Sequence, residues 1–197
     1  CSSDLYNLEK KIFLDKNANK MFISDSDLSF YRNITCHNDA SILNIKFNLY
    51  RNNMKEENIK LNRKIVWFGG IESHKTQSIC WFINDIFKEV RKKIPDMEFH
   101  LYGNNTKKFS NPINGIYGHG HYAGKEFPMK SNALFINPDI IGGGIKLKLI
   151  TYLNEKVVFL STPFGFEGYD KELIDGKYCI VKEPDRWTET IIRMFLN

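Results

Sequence analysis

The chain has 197 residues, enough for one full core with a small appendage and too few for several large domains. Hydrophobic residues make up 42 %, which excludes a disordered chain, and no apolar run approaches the ~18 residues that a membrane-spanning helix needs. Lysine and arginine outnumber acids by 28 to 23, and the net charge of +5 is spread along the chain, without the dense basic stripe and interleaved aromatics of a nucleic-acid binder.

The opening segment alternates helix and strand. Tyr6 to Lys16 is polar with apolar Leu8, Ile12 and Phe13, which predicts a partly exposed helix. Lys20 to Ser24 is a short strand, and Ser24-Asp25-Ser26-Asp27 supplies N-cap chemistry for a helix through about Arg32. Ser41 to Tyr50 alternates like a strand. The run from Arg51 to Arg63 is rich in Asn, Lys and Glu with almost nothing to bury, so it is the linker candidate.

From Lys64 a strict alternation of strands and helices begins. Ile65-Val-Trp-Phe68 is a strand ending in Gly69-Gly70, and a helix from about Thr76 to Lys93 buries Ile79, Phe82, Ile83, Ile86, Phe87 and Val90 before Pro95. Glu98 to Gly103 is the second strand and Gly115 to Gly118 the third. A loop, Gly118-His-Gly-His-Tyr122, leads into a weak helix, and Ala133 to Pro138 is a buried strand closed by proline. Three glycines, Gly142, Gly143 and Gly144, then open a helix with Ile145, Leu149, Ile150 and Leu153 on one side and Lys148, Thr151 and Glu155 on the other. Val157 to Leu160 is a further strand, Gly165 to Leu173 a loop and short helix, and Tyr178 to Val181 the last strand. Asp185 to Leu196 closes the chain as a helix with Trp187, Ile191 and Phe195 inward.

Such an order predicts an α/β fold, a doubly wound parallel sheet with right-handed crossovers. Two readings of the glycine stretch stand side by side. It is a tight connection whose lysines are solvated, or it is an anion site built from free backbone N–H groups, the positive end of a helix dipole and nearby lysines. Ligands of doubly wound sheets bind at the carboxyl ends of the strands. Gly69-Gly70, Gly118 to His121 and Gly142 to Gly144 all fall at such ends, which favours the ligand reading.

Several chemistries are absent. Gly69-Gly70-Ile-Glu-Ser-His74 does not supply the G-x-G-x-x-G of a dinucleotide site, and neither a G-x-x-x-x-G-K-[ST] phosphate loop nor a G-x-S-x-G nucleophile elbow occurs. His119 and His121, with His74 and His100, lack a carboxylate or cysteine at ligand spacing, so ordinary loop histidines and no metal are expected. Cys1, Cys36, Cys80 and Cys179 lie far apart with no C-x-x-C, which points to a reducing compartment rather than a disulfide framework. No signal peptide is evident, and an opening at Cys1 rather than Met is expected of a fragment of a longer protein.

From Lys64 onward the order of parts resembles the C-terminal, nucleotide-sugar-binding half of a group 1 (family four) glycosyltransferase of the GT-B type. In that family a glycine-ended first strand is followed by an Arg and, six residues after the Gly, a Lys. Gly69 and Lys75 match, and Gly70 stands at the Arg position. Pro138 through Asn154 is similar to the family's proline, glycine-rich turn and G-I-K-x-K-x-L-E-A-M-A. Val157 through Gly168 resembles its P-V-V-x-T-x-x-G-x-E-G, and Asp175-Gly176 its D-G turn. The family's glutamate pair falls on Gly143 and Thr151, so a hydroxyl stands where a carboxylate normally holds the donor ribose.

The resemblance implies a Rossmann-like donor domain over 64–197, a linker over 51–63, and over 1–50 the tail of the N-terminal, acceptor-binding domain. It implies a retaining transferase that moves sugar from a nucleotide diphosphate to a glycan or lipid-linked acceptor in cell-surface polysaccharide synthesis. Such an enzyme is cytoplasmic, touches the membrane surface peripherally, and needs neither a metal nor a cofactor besides its donor. Charge grows on the departing pyrophosphate, so fixed positive groups matter most. Lys75 is the catalytic candidate. Gly69, Gly70, Gly118, His119, Gly142, Gly143, Gly144, Lys146, Lys148, Thr151 and Glu167 are the donor-binding candidates. Two alternatives follow from the same residues: a nucleotide-binding or scaffold domain that has lost catalysis, as Gly70 and Thr151 suggest, and a small α/β domain that docks a protein. The isolated fragment is expected to be inactive, because a GT-B site lies between two domains.

Overall fold

Two near-continuous apolar runs, Lys64–Phe68 (β3) and Leu134–Asn137 (β6), form the centre of a six-stranded parallel sheet. Runs of this kind suit strands covered on both faces. The computed structural model describes residues 20–22, 25–36, 40–42, 60–124, 127–130, 132–142 and 145–196. They fall into two compact units. The smaller holds the parallel pair β1 (Lys20–Phe22) and β2 (Ala40–Ile42), joined through helix α1 (Asp25–Thr35). Leu28, Tyr31 and Ala40 are its buried apolar residues among those described, with the Phe22 ring 5.2 Å from that of Tyr31. The helix expected over Tyr6–Lys16, most of the strand expected over Ser41–Tyr50 and most of the linker lie outside the described residues.

In the larger unit β3 is followed by a continuous helical segment, α2 (Ser73–Trp81), a π-helical stretch Phe82–Phe87, and α3 (Lys88–Lys93). Then come β4 (Glu98–Tyr102), β5 (Ile116–Gly120), β6, α4 (Leu147–Asn154), β7 (Phe159–Ser161), β8 (Cys179–Val181) and α5 (Trp187–Leu196). The sheet order is β5-β4-β3-β6-β7-β8, with every pair parallel. The doubly wound sheet expected from the alternation is therefore present.

Strand alternation sorts the core into two layers. Ile65, Trp67, Phe99, Leu101 and Leu134 face Ile79, Phe82 and Val90 of the long helical segment and Trp187 and Ile191 of α5. Val66, Phe135 and Phe159 face Leu149 and Tyr152 of α4. Trp67, Phe99, Phe135 and Phe159 are 0 % exposed, and each such burial is worth about 1.5–3 kcal/mol. Among the described residues, no helix is long and apolar enough to cross a membrane.

Several boundaries differ from expectation. The long helix starts at Ser73, three residues early, and is π-helical over Phe82–Phe87, where Phe82, Ile86 and Phe87 are buried as expected and Ile83 is only partly so. The third strand runs on to Gly120, so His119 belongs to a strand. Helix α4 starts at Leu147 with Lys146 as its N-cap, which leaves Ile145 outside it. No weak helix forms over 121–124 or 127–130.

The end of α4 carries a local strain. Val157 N–H donates to Tyr152 O and Lys156 N–H to Leu153 O, both at 3.2 Å, a Schellman closure with Lys156 in the left-handed position at φ +54°. A side chain there costs about 1 kcal/mol relative to glycine. Lys156→Gly should raise stability by about that amount in urea unfolding, and an unchanged midpoint would show the strain to be relieved elsewhere.

Candidate functional site

The chain order reverses between β3 and β6. From β3 it runs outward to β4 and β5, then returns to β6 and continues to β7 and β8. That reversal leaves a crevice at the carboxyl ends of β3 and β6, where doubly wound sheets bind ligands. Tyr152, 0 % exposed, spans the two strands below it. Its hydroxyl donates to Ile136 O at 3.3 Å and accepts from Phe68 N–H at 3.2 Å, and burial holds that hydroxyl far above its ordinary pKa.

At the crevice sits a buried ion pair. Asp139, two residues beyond β6, lies with its carboxylate 3.2 and 3.3 Å from the Lys148 ammonium. Their side chains are 2 % and 10 % exposed. The Lys148 ammonium also lies 3.4 Å from the centre of the Trp67 ring, whose indole N–H is fixed by Gly69 O at 2.9 Å. Burial drives the Lys148 pKa down to about 7; Asp139 opposes the shift, while the charges of Lys75 and Lys146 add to it. Lys75, half-exposed in the first turn of α2, and Lys146, at the N-cap of α4, are thus gathered around the same point.

Neither helix end is capped by a side chain. The N-caps Glu72 and Lys146 make no side-chain capping bond, and neither first turn contains an acid. Two uncapped helix ends and three lysines thus lie near one buried carboxylate, an arrangement suited to a multiply charged anion. Below it a buried polar network holds the loops in place. Thr162 Oγ1 donates to Asp139 O and accepts from Gly165 N–H at 2.8 Å, while Asn137 Nδ2 donates to Gly165 O at 2.9 Å and Ser161 Oγ at 3.1 Å.

The other sequence candidates take separate places. Gly69 uses its own N–H on Tyr102 O at 2.8 Å, and Gly70 has room for a side chain, the nearest atom to an added Cβ being 3.8 Å away. Gly142 takes φ +120° in the loop before α4; Gly143 and Gly144 lie outside the described residues. Lys148, placed by periodicity on a polar face with Thr151 and Glu155, is mostly covered, whereas Thr151 is half-exposed one turn on. Lys146 stays half-exposed with its ammonium 4.8 Å from the Phe164 ring. Glu167 is exposed on the rim of a cleft of about 560 Å³ that Phe164 and Tyr169 also line. Gly118 serves packing, since a Cβ there would lie 2.3 Å from Thr106 O. His119 stacks on Tyr102 with ring centres 4.2 Å apart.

Asp139, Trp67, Asn137 and Thr162 were not among the sequence candidates. Their one local signal is polarity at the ends of buried strands, most visibly in Asn137-Pro138-Asp139. Among the described residues, no group of three or more His, Cys, Asp or Glu side chains is gathered to hold a metal ion.

The sequence profile of the family described as glycosyl transferases group 1 matches residues 62–197. Among solved structures, that of TarM is similar with a TM-score of 0.67 at 12 % identity, over 94 % of this chain and 38 % of that one. The structure of WaaG, described as a glycosyltransferase involved in lipopolysaccharide biosynthesis, is similar with a TM-score of 0.59 at 10 % identity, over 93 % of this chain and 55 % of that one. The chain thus spans less than two thirds of either relative. No curated protein matches the sequence.

Proposed function

The chain belongs to the group 1 glycosyl transferases, has the Rossmann-like GT-B fold, and on that premise we propose that it is the donor-binding part of an enzyme that moves sugar from a nucleotide diphosphate to a glycan or lipid-linked acceptor. We place the reaction on the cytoplasmic side in cell-surface polysaccharide synthesis, with retention at the anomeric carbon. One observation carries the reading: three lysines and two uncapped helix ends meet around a single buried carboxylate at the switch point.

The chemistry matches that charge. When the bond from the sugar to the diphosphate breaks, the electron pair leaves with the phosphate oxygen, and negative charge grows where the cations stand. Lys75, half-exposed in the first turn of its helix, is the group that meets it. The Lys148 ammonium stays behind it as a covered counter-charge held by Asp139 and Trp67. Lys146 and the amides at the start of α4 hold the second phosphate, and the loop with Glu167 meets the sugar.

Thr151 favours a second reading, a domain of the same fold that binds nucleotide without transferring sugar. A neutral hydroxyl grips two ribose hydroxyls less strongly than a carboxylate does. Sugar transfer by the full-length protein would exclude it.

A thermal-shift panel with UDP, GDP, ADP, CMP and NAD separates the possibilities. Ligand at a hundred times its Kd adds about 2.7 kcal/mol of stability. The expected result is a selective rise with UDP or GDP. A rise with NAD alone would replace the proposal with a redox Rossmann domain.

A further inference from the structure

A second polar cluster lies on β4 and β5. Alternation along β4 places Glu98, His100 and Tyr102 on one face. The register shift opposite Leu101 and Tyr102 makes His119 the extra residue of a bulge, and its ring lies within 8° of parallel to that of Tyr102. Glu98 Oε2 is 3.0 Å from His100 Nε2, and His100 Nδ1 is 2.9 Å from His119 Nε2. Lys64 on β3, 3.9 Å from Glu98, and Tyr117 on β5, stacked 5.0 Å from His100, complete the surroundings.

The hydrogens follow from this geometry. Burial lowers the pKa of both histidines, so both rings are neutral at neutral pH, each with one N–H and one lone pair. The Glu98 carboxylate only accepts, so His100 carries its proton on Nε2. His100 Nδ1 is then a lone pair and takes the Nε2–H of His119. What remains is His119 Nδ1, a lone pair on an exposed residue, with no hydrogen-bond partner among the described residues.

We infer that Glu98, His100 and His119 form a relay that sets the tautomer of His119, and that His119 Nδ1 accepts the ring N–H of the donor's nucleobase, selecting uracil or guanine over cytosine or adenine. The inference rests on the donor-binding reading above. With the diphosphate at the ends of β3 and β6, β5 lies two strand spacings away, about 10 Å, a gap for a ribose to bridge. The opposite direction, toward β7, leads to Glu167, whose carboxylate suits sugar hydroxyls instead. Uracil N3 and guanine N1 carry hydrogen, whereas cytosine N3 and adenine N1 would set a lone pair against a lone pair.

Two measurements test it. Long-range ¹H–¹⁵N correlation on the histidine-labelled chain should show both His100 and His119 as the Nε2–H tautomer, and Glu98→Leu should turn both into mixtures. A mixture in the unaltered chain would overturn the relay. Calorimetry should then show that methylation at N3 of UDP, or at N1 of GDP, weakens binding of whichever the chain prefers by about tenfold. His119→Phe, which keeps a ring on Tyr102, should bind the parent and the methylated nucleotide equally. Equal binding of both forms by the unaltered chain, or a preference for CDP or ADP, would overturn the base assignment and leave the donor-binding reading standing. No binding of UDP, GDP, ADP or CDP would overturn both.

Discussion

Replacing Lys148 by Met should destabilise the chain by about 3–5 kcal/mol near pH 6, below the lysine's folded pKa of about 7, because it leaves Asp139 buried without its counter-charge. Asp139 is 2 % exposed, and the Lys148 ammonium is the partner its carboxylate has among the described residues. The loss also removes the cation held over the Trp67 ring. The double variant Lys148→Met with Asp139→Asn should recover most of that loss, since it buries no charge at all. Chemical unfolding of the two singles and the double closes the cycle. Additive losses in the double would show that the two groups do not act as a pair.

The same lysine predicts a pH dependence with a definite sign. Its pKa is about 7 in the folded chain against an ordinary 10.5. Between those values the unfolded state holds a proton that the folded state does not, so stability rises with pH across that window. The contribution is complete above the unfolded value and is lost as the pH falls through the folded one. The unaltered chain should therefore gain on Lys148→Met from pH 7 upward, and parallel stability curves for the two would contradict a covered ammonium.

Lys75→Ala in the full-length enzyme should lower turnover by about 10²–10³-fold, the cost of losing one fixed charge at a leaving group. Its thermal midpoint should barely move, because Lys75 is half-exposed in a first helical turn and buries little. Full turnover in this variant would remove Lys75 from the mechanism. The present chain offers a second readout. The charge of Lys75 helps to depress Lys148, so Lys75→Ala should move the onset of the pH-dependent rise upward. A purely superficial lysine would leave that onset in place.

Much of this protein is determined by signals that lie close together in the chain. Buried strands such as Ile65–Phe68 and Ala133–Pro138 show as apolar runs, and Pro95 and the glycines mark where elements stop. Their alternation sets the parallel sheet, because a strand that returns parallel needs a crossover helix. The glycine-ended strands and the lysines near them pointed to the carboxyl ends of the strands, and Lys75, Lys146 and Lys148 are gathered at that end of the sheet.

Tertiary structure decided which lysine does what. Periodicity set Lys148 on the polar face of its helix, but the face of a short helix laid across strand ends is not all solvent. The indole of Trp67 and the carboxylate of Asp139, brought together with Lys148 only by the reversal of strand order, cover it. His119 is the same case. Read along the chain it is a loop histidine between two glycines, yet a one-residue bulge against β4 turns it into the open end of a hydrogen-bonded line from Glu98. Such roles depend on contacts between strands and helices far apart in sequence, where a shift of one residue changes which face a side chain takes. The fold class was therefore legible along the chain, whereas the charge state and partners of the site residues were set by packing.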